Sequence, residues 1–276
     1  MVNNRKAQVI WAFFIFMKRS FNLILCLTLG LLLSACSSTK KATIDYTGMG
    51  ELKNTDYIDH LASAGGDYLS YEEVKTIKLL PASQEYLEDV YERLVSNNQM
   101  ILNLSEKPKF YIIQHKSPFL FSLPRSQFFF SSALIERYLK SEELFVAAFA
   151  AEIVRSQRYV YEKQFLLPLG FYSTEKMIQL TRLKNETKVQ VNEWAYFILK
   201  RSGYDASAYL NWIQIQNRNT LDFALFLGDP IGISKEEHLF KNFMSKQGVL
   251  GVEKRFNEAN SSKAFYKLLN NIVSRK

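Results

Sequence analysis

The spacing of hydrophobic and polar positions changes period several times along this chain, and each change predicts an element. After Pro81, residues 83–100 place Leu87, Val90, Tyr91, Leu94 and Val95 on one helical face, with acids early in the segment. Phe110-Tyr111-Ile112-Ile113 follows Lys-Pro-Lys and reads as a strand. Gln127–Ser131 reads as a second strand, and Leu123-Pro124 marks a turn before it. A short helix is expected over 134–139. Segment 142–163 is a longer helix whose first half is apolar all round, from Leu144 through Ala151 and on to Ile153 and Val154, so it should run through the middle of a domain. Residues 174–201 form a further helix that ends at Ser202-Gly203. Gly203 suits a left-handed C-cap, and Asp205 can cap the next helix, 206–216. Residues 234–276 read as two more helices separated at 248–251. The pattern predicts an α+β fold, mostly helical, with a small sheet packed on a central helix.

The N-terminal stretch follows a different logic. Lys18 and Arg19 precede an apolar run, 21–33, broken only by Asn22, Thr28 and Gly30. Leu33-Ser34-Ala35-Cys36 comes next and resembles the lipobox of bacterial lipoprotein signal peptides. Small residues at Ser34 and Ala35 give a peptidase access to the backbone, and Cys36 supplies the thiol that receives the lipid. The run is too short and wrongly flanked for a spanning helix. Cleavage before Cys36 and acylation of that cysteine are therefore expected; the alternative is a single-span anchor with an incidental cysteine. Two or more acyl chains give stable anchoring where one does not. Ser37 follows the cysteine, with no Asp there to signal inner-membrane retention, so the resemblance implies the periplasmic face of the outer membrane. A second apolar run, 9–16, precedes Lys18 and points to a translation start at Met17, the alternative being an unusually long leader.

Removing residues 1–35 leaves 241 of the 276 residues, enough for one sizeable domain. Four of the 35 basic residues, Arg5, Lys6, Lys18 and Arg19, leave with the leader and no acid does. The remainder holds 31 basic against 27 acidic side chains, a net charge of +4. That mild excess is not the basic stripe of a nucleic-acid binder, and no nucleic-acid partner is expected. With Cys26 in the leader and Cys36 lipidated, no cysteine pair is left for a disulfide. Residues 36–67 are polar and weakly patterned and read as a tether with a short helix near 57–62, so the folded domain is expected to begin at Tyr68.

The order of pieces in the folded part resembles the HtpX/BepA-like zinc metallopeptidases, members of the gluzincins. The pieces are Phe119-Leu-Phe-Ser-Leu-Pro124, Phe128-Phe-Phe-Ser-Ser-Ala-Leu134, the helix opening Ser-Glu-Glu-Leu-Phe-Val-Ala-Ala-Phe-Ala-Ala-Glu152, and Ser202-Gly-Tyr-Asp205. The resemblance covers roughly residues 83–217 and implies a zincin-like domain. The family's chemistry needs His-Glu-x-x-His on the central helix, where histidines at i and i+4 hold zinc and the glutamate acts as general base on metal-bound water. The matching positions here are Ala151-Glu152-Ile153-Val154-Arg155. Ala151 has no donor, and Arg155 carries a permanent positive charge. Counting back from Gly203-Tyr204-Asp205, the family's Glu-Ala-Asp falls on Gln190-Val191-Asn192, where both carboxylates have become amides. Glu152 remains as a vestigial general-base position, with no activated water to serve. The resemblance thus implies that zinc is lost and that no cofactor takes its place. His60, His115 and His238 are far apart and none has a helical partner at i+4, so they offer no substitute site.

Two further expectations follow. Glu152 and Arg155 lie three apart on one helical face, so an ion pair can form where the family holds its metal. The family binds substrate along a strand beside the central helix by β-augmentation. Gln127–Ser131, with Phe128, Phe129 and Phe130, is the candidate peptide-binding strand, against the plainer reading that its three phenylalanines are core. Arg125-Ser126 stands where the family has Gly-Gly after Leu-Pro, which puts the shape of that loop in question. The favoured function is a catalytically inactive lipoprotein that binds or scaffolds a protein or peptide partner in envelope maintenance. An active metalloendopeptidase with a rebuilt site and an unrelated structural lipoprotein are the alternatives.

Overall fold

Period-2 and period-3.6 segments of this chain condense into a four-stranded mixed sheet with helices on both faces. The structure is a computed structural model that describes residues 54–162, 172–248 and 261–274, all within one compact unit, Leu52–Lys276. The leader, Cys36, the start of the expected tether and the 249–260 connection lie outside the described residues. The described elements are α1 (Asn54–Leu69), β1 (Thr76–Ile77), α2 (Pro81–Ser96), β2 (Lys109–Ile113), β3 (Leu120–Leu123), β4 (Gln127–Ser131), α3 (Ser132–Arg137) and α4 (Glu142–Arg158). They continue with α5 (Thr174–Leu180), α6 (Asn185–Arg201), α7 (Ala208–Arg218), α8 (Ala224–Leu227), α9 (Pro230–Lys246) and α10 (Lys263–Val273). The α+β, mostly helical class predicted from the pattern is the observed one.

The helix starts follow short-range chemistry. Ser131, Ser141, Ser173 and Ser262 each accept a backbone N–H at the starts of α3, α4, α5 and α10, and Asp229 does the same for α9. Pro81 and Pro230 open α2 and α9, where their missing N–H costs nothing. Gly203 is left-handed after α6, and the Asp205 carboxylate accepts from the Ser207 N–H and hydroxyl, as expected.

The strand order is β1-β2-β4-β3, with β2 and β4 parallel and the outer pairs antiparallel. One face of the sheet packs on α4, thirteen of whose seventeen residues are buried. Phe128 and Phe130 from β4 meet Phe149 and Phe145 of α4 at ring separations of 4.8 and 5.5 Å. On the opposite face Phe129 stacks on Phe121 at 4.7 Å, and Tyr68 of α1 sits edge-on to both. Burying each such ring contributes on the order of 2 kcal/mol, so both layers are held mainly by these aromatics.

Several expectations need correction. Residues 54–67 are not tether: α1 buries Tyr57, Ile58, Leu61, Ala64 and Tyr68 under the sheet, so the folded unit begins upstream of Tyr68. Its glycines and short side chains, Ala62-Ser63-Ala64-Gly65-Gly66, disguise a packed face; a Cβ on Gly65 would lie 2.8 Å from the Gln127 side chain. The single helix expected over 174–201 is two, broken at 181–184, where the Thr181 hydroxyl donates to the carbonyls of Met177 and Ile178 and closes α5. The central helix stops at Arg158, five residues early, with Tyr159 in the left-handed region.

The candidate peptide-binding strand is also overturned. β4 is hydrogen-bonded along both edges, to β2 and to β3, and has no free ladder to offer an extended peptide. Phe128, Phe129 and Phe130 are all fully buried, because a sheet covered on both faces buries consecutive side chains. They are core.

Candidate functional site

The resemblance singled out 151–155 on α4, and this stretch lines a cavity of about 60 Å³. Helix α4 contributes Ala151, Glu152 and Arg155. The 181–183 break contributes Arg182, α6 contributes Lys188 and Asn192, α7 contributes Tyr209, and α9 contributes Glu236. The break between α5 and α6 thus has a consequence for the site: it brings Arg182 and the Thr181 carbonyl to the cavity.

Glu152 and Arg155 form the expected pair, with Arg155 Nη1 2.6 Å from Glu152 Oε1. The other carboxylate oxygen accepts from Ser122 Oγ at 2.7 Å, and Arg155 Nη2 donates to the Thr181 carbonyl. The pair is nearly dry, with side-chain exposures of 5% for Glu152 and 12% for Arg155. Burial pushes the Glu152 carboxyl above its ordinary range; Arg155 and Ser122 pull it back without cancelling that rise. Burial works against the charge on Arg155, but the Glu152 carboxylate, together with Tyr161 and Tyr209, more than offsets it and holds the guanidinium protonated. Both oxygens of Glu152 are therefore committed, and neither is free to take a proton from a water.

A second network lies across the cavity. Tyr209 donates to Asn192 Oδ1 at 2.6 Å, and Asn192 Nδ2 donates to Glu236 Oε1 at 2.8 Å. Lys188 Nζ approaches the other Glu236 oxygen at 3.9 Å. Burial pushes the Tyr209 hydroxyl well above its usual value, so it remains a donor. Gln190 is not part of this network: it is exposed, and the α6 residues lining the cavity are Lys188, Val191 and Asn192. At 100° per residue, 188 and 192 share a face that 190 does not. Lys188, not Gln190, therefore lines the cavity together with Ala151. Asn192 lies at the cavity as expected.

These residues do not fit a zinc ion. Ala151 has no donor atom, Arg155 is already bonded to Glu152, and Arg182 and Lys188 add further positive charge that would repel a dication. Among the described residues no group of three or more His, Cys, Asp or Glu is placed to hold a metal.

The sheet edge nearest the site is β3. In its antiparallel pairing with β4, the Phe119 carbonyl points inward and bonds to the Ser131 N–H, so the backbone groups of Leu120 and Ser122 point outward. The Ser122 carbonyl accepts from the Tyr161 hydroxyl at 2.8 Å, and the same hydroxyl lies 3.0 Å from Ser122 Oγ. Tyr161, just beyond α4, thus occupies the edge along which a peptide would add. Its own position is fixed by burial and by the neighbouring Tyr57 hydroxyl, which donates to the Glu162 carbonyl.

The turn before β4 has an uncommon backbone shape. Arg125 and Ser126 have φ of 63° and 52°, both left-handed. Ser126 is held there by its N–H to Ser156 Oγ at 2.9 Å, by its hydroxyl to Glu106 and Tyr91, and by its carbonyl to the Lys109 N–H. Two adjacent left-handed residues are a shape that glycine adopts without cost, and the resembled family has Gly-Gly here.

No protein-family model matches the chain, and no curated protein is significantly similar to it. Of the residues that matter at the cavity, sequence reasoning found Ala151, Glu152, Arg155 and Asn192. It missed Lys188, whose signal was its place one helical turn before Asn192. It also missed Arg182, Tyr209, Glu236 and Tyr161, which long-range packing brings in and no local pattern marks.

Proposed function

We propose that this protein is a metallopeptidase-like domain that has exchanged its metal site for an ion-pair network and works by binding rather than cutting. The observation that carries the reading is the dry Glu152–Arg155 pair at the positions that match His-Glu-x-x-His, with Lys188 lining the same cavity. The left-handed Arg125-Ser126 turn, preserved without its glycines, supports descent from such an enzyme. In this reading the chain is a lipoprotein held through acylated Cys36 on the periplasmic face of the outer membrane, where it scaffolds a protein or peptide partner in envelope maintenance.

The test is the zinc content of the 37–276 chain by elemental mass spectrometry, after dialysis against a mild chelator and then against trace zinc. Substoichiometric zinc and no cleavage of a denatured protein substrate are expected. About one zinc per chain, released together with peptidase activity by a strong chelator, would refute the reading.

A further inference from the structure

The charges around the cavity do not balance. Arg155, Arg182 and Lys188 face it with three positive charges, and Glu152 and Glu236 with two negative ones. Glu152 is fully engaged by Arg155 and Ser122, and Glu236 is engaged by Asn192 and Lys188. Among the described residues Arg182 is left without a carboxylate. Its one side-chain hydrogen bond runs from Nη2 to the Leu225 carbonyl at 2.9 Å, and its buried Nε has no partner. Its Nη1 has no hydrogen-bond partner among the described residues either.

This guanidinium is nevertheless firmly placed. Gly228, with φ of 71°, packs against it so closely that a Cβ there would lie 2.3 Å from Arg182 Cζ. A glycine in the left-handed region, a carbonyl acceptor and a walled guanidinium make a built position, not a side chain waving in solvent. A half-buried cation without a counter-charge is costly unless something anionic visits it.

We propose that the cavity is a binding pocket for a single carboxylate, held between Arg182 and Lys188, and that the carboxylate is the C-terminus of a peptide. Size and charge select this ligand. One unit of excess positive charge calls for a monoanion. About 60 Å³ accepts a group of roughly four heavy atoms, given that one water needs about 10–15 Å³ by the same measure. A carboxylate and the carbon next to it fill that space, and the remainder of a peptide that bears them would lie outside it. The planar guanidinium matches a carboxylate better than a spherical anion. The pocket would read a chain end where the resembled enzymes cut, and so rests on the non-catalytic reading above.

The experiment is isothermal titration of the 37–276 chain, in chelator, with Ala-Ala-Ala, its C-terminal amide, sodium acetate and inorganic phosphate. Binding of the free-acid peptide at least tenfold tighter than its amide and than acetate is expected. Arg182→Gln should weaken it at least tenfold while leaving the circular dichroism spectrum unchanged, and Lys188→Gln should weaken it less. Equal binding of acid and amide, or tighter binding of phosphate, would overturn the carboxylate assignment. Acetate binding as tightly as the peptide would overturn the peptide and leave a free small acid. Absence of all binding would overturn the pocket and leave the zinc test untouched. Binding that appears only after zinc is added would instead overturn the non-catalytic reading.

Discussion

Removing Arg155 should damage this domain more than removing any surface cation, and in a way that depends on pH. With Arg155→Ala, Glu152 keeps Ser122 Oγ as a donor but loses its charge partner in a nearly dry environment. Breaking a buried pair from one side costs about 3–5 kcal/mol. For a domain of this size, where each kcal/mol shifts the melting temperature by roughly 2–4 °C, that is a fall of roughly 6–20 °C. The orphaned carboxylate has an escape, because burial already pushes it toward the protonated form. The loss should therefore shrink in acid and grow with rising pH, by up to about 1.4 kcal/mol per unit while the carboxyl is being held neutral. Replacing both partners together, Glu152→Gln with Arg155→Met, should bring stability back to within about 1 kcal/mol of the parent, since well-packed neutral groups replace buried pairs at little cost. The assay is urea unfolding followed by circular dichroism at pH 5, 7 and 8.5 for the parent, both single variants and the double variant. A single Arg155→Ala variant within about 0.5 kcal/mol of the parent at pH 8.5 would refute the reasoning. So would a double variant that loses the sum of the two single losses.

Other consequences can be checked with the same apparatus. Because burial raises the folded-state pKa of Glu152 above its ordinary 4.5, the folded chain holds more proton than the unfolded chain between those two values, and stability falls as pH rises across that interval. The parent should therefore lose stability relative to Glu152→Gln from pH 4.5 upward; a gap moving the opposite way would mean that Arg155 depresses the carboxyl instead. Arg125→Gly should be more stable than Arg125→Ala by about 1 kcal/mol, because both lose an exposed ion pair to Asp59 but only glycine relaxes the left-handed backbone. Equal unfolding midpoints for the two would show that the turn is not strained. In cells, Cys36→Ala should abolish labelling by radioactive palmitate and release the protein from the membrane fraction, and retention of the label would disprove the lipidation site.

The parts of this structure that could be read in advance were those governed by neighbours in sequence. Strand β4, helix α2 and the Gly203 cap follow from periodicity or from one residue's conformational freedom, and all three fall close to where the pattern put them. Helix α1 showed only as a short helix near 57–62, because much of its buried face is alanine, glycine and tyrosine, a composition that also suits a tether. Strands β1 and β3 are two and four residues long, too short for alternation to declare itself. The peptide-strand reading failed for a topological reason. Three consecutive phenylalanines tell that both faces are covered, but only the sheet order tells that both edges are taken, and that order is set by pairings across the whole domain.

The Glu152–Arg155 pair was legible because helical spacing alone brings i and i+3 together, whatever surrounds them. What sequence spacing cannot give is the sum of charges at a point reached by several separate segments. Lys188, Arg182 and Glu236 sit on different elements, and only their convergence makes a cavity with an excess cation. The two findings constrain each other. If the cations served only the two glutamates, Arg155 would suffice for Glu152 and Lys188 for Glu236, and Arg182 could be neutral at no loss. An unpaired Arg182 beside two committed carboxylates, with Gly228 packed against its guanidinium, is accounted for by a negatively charged visitor.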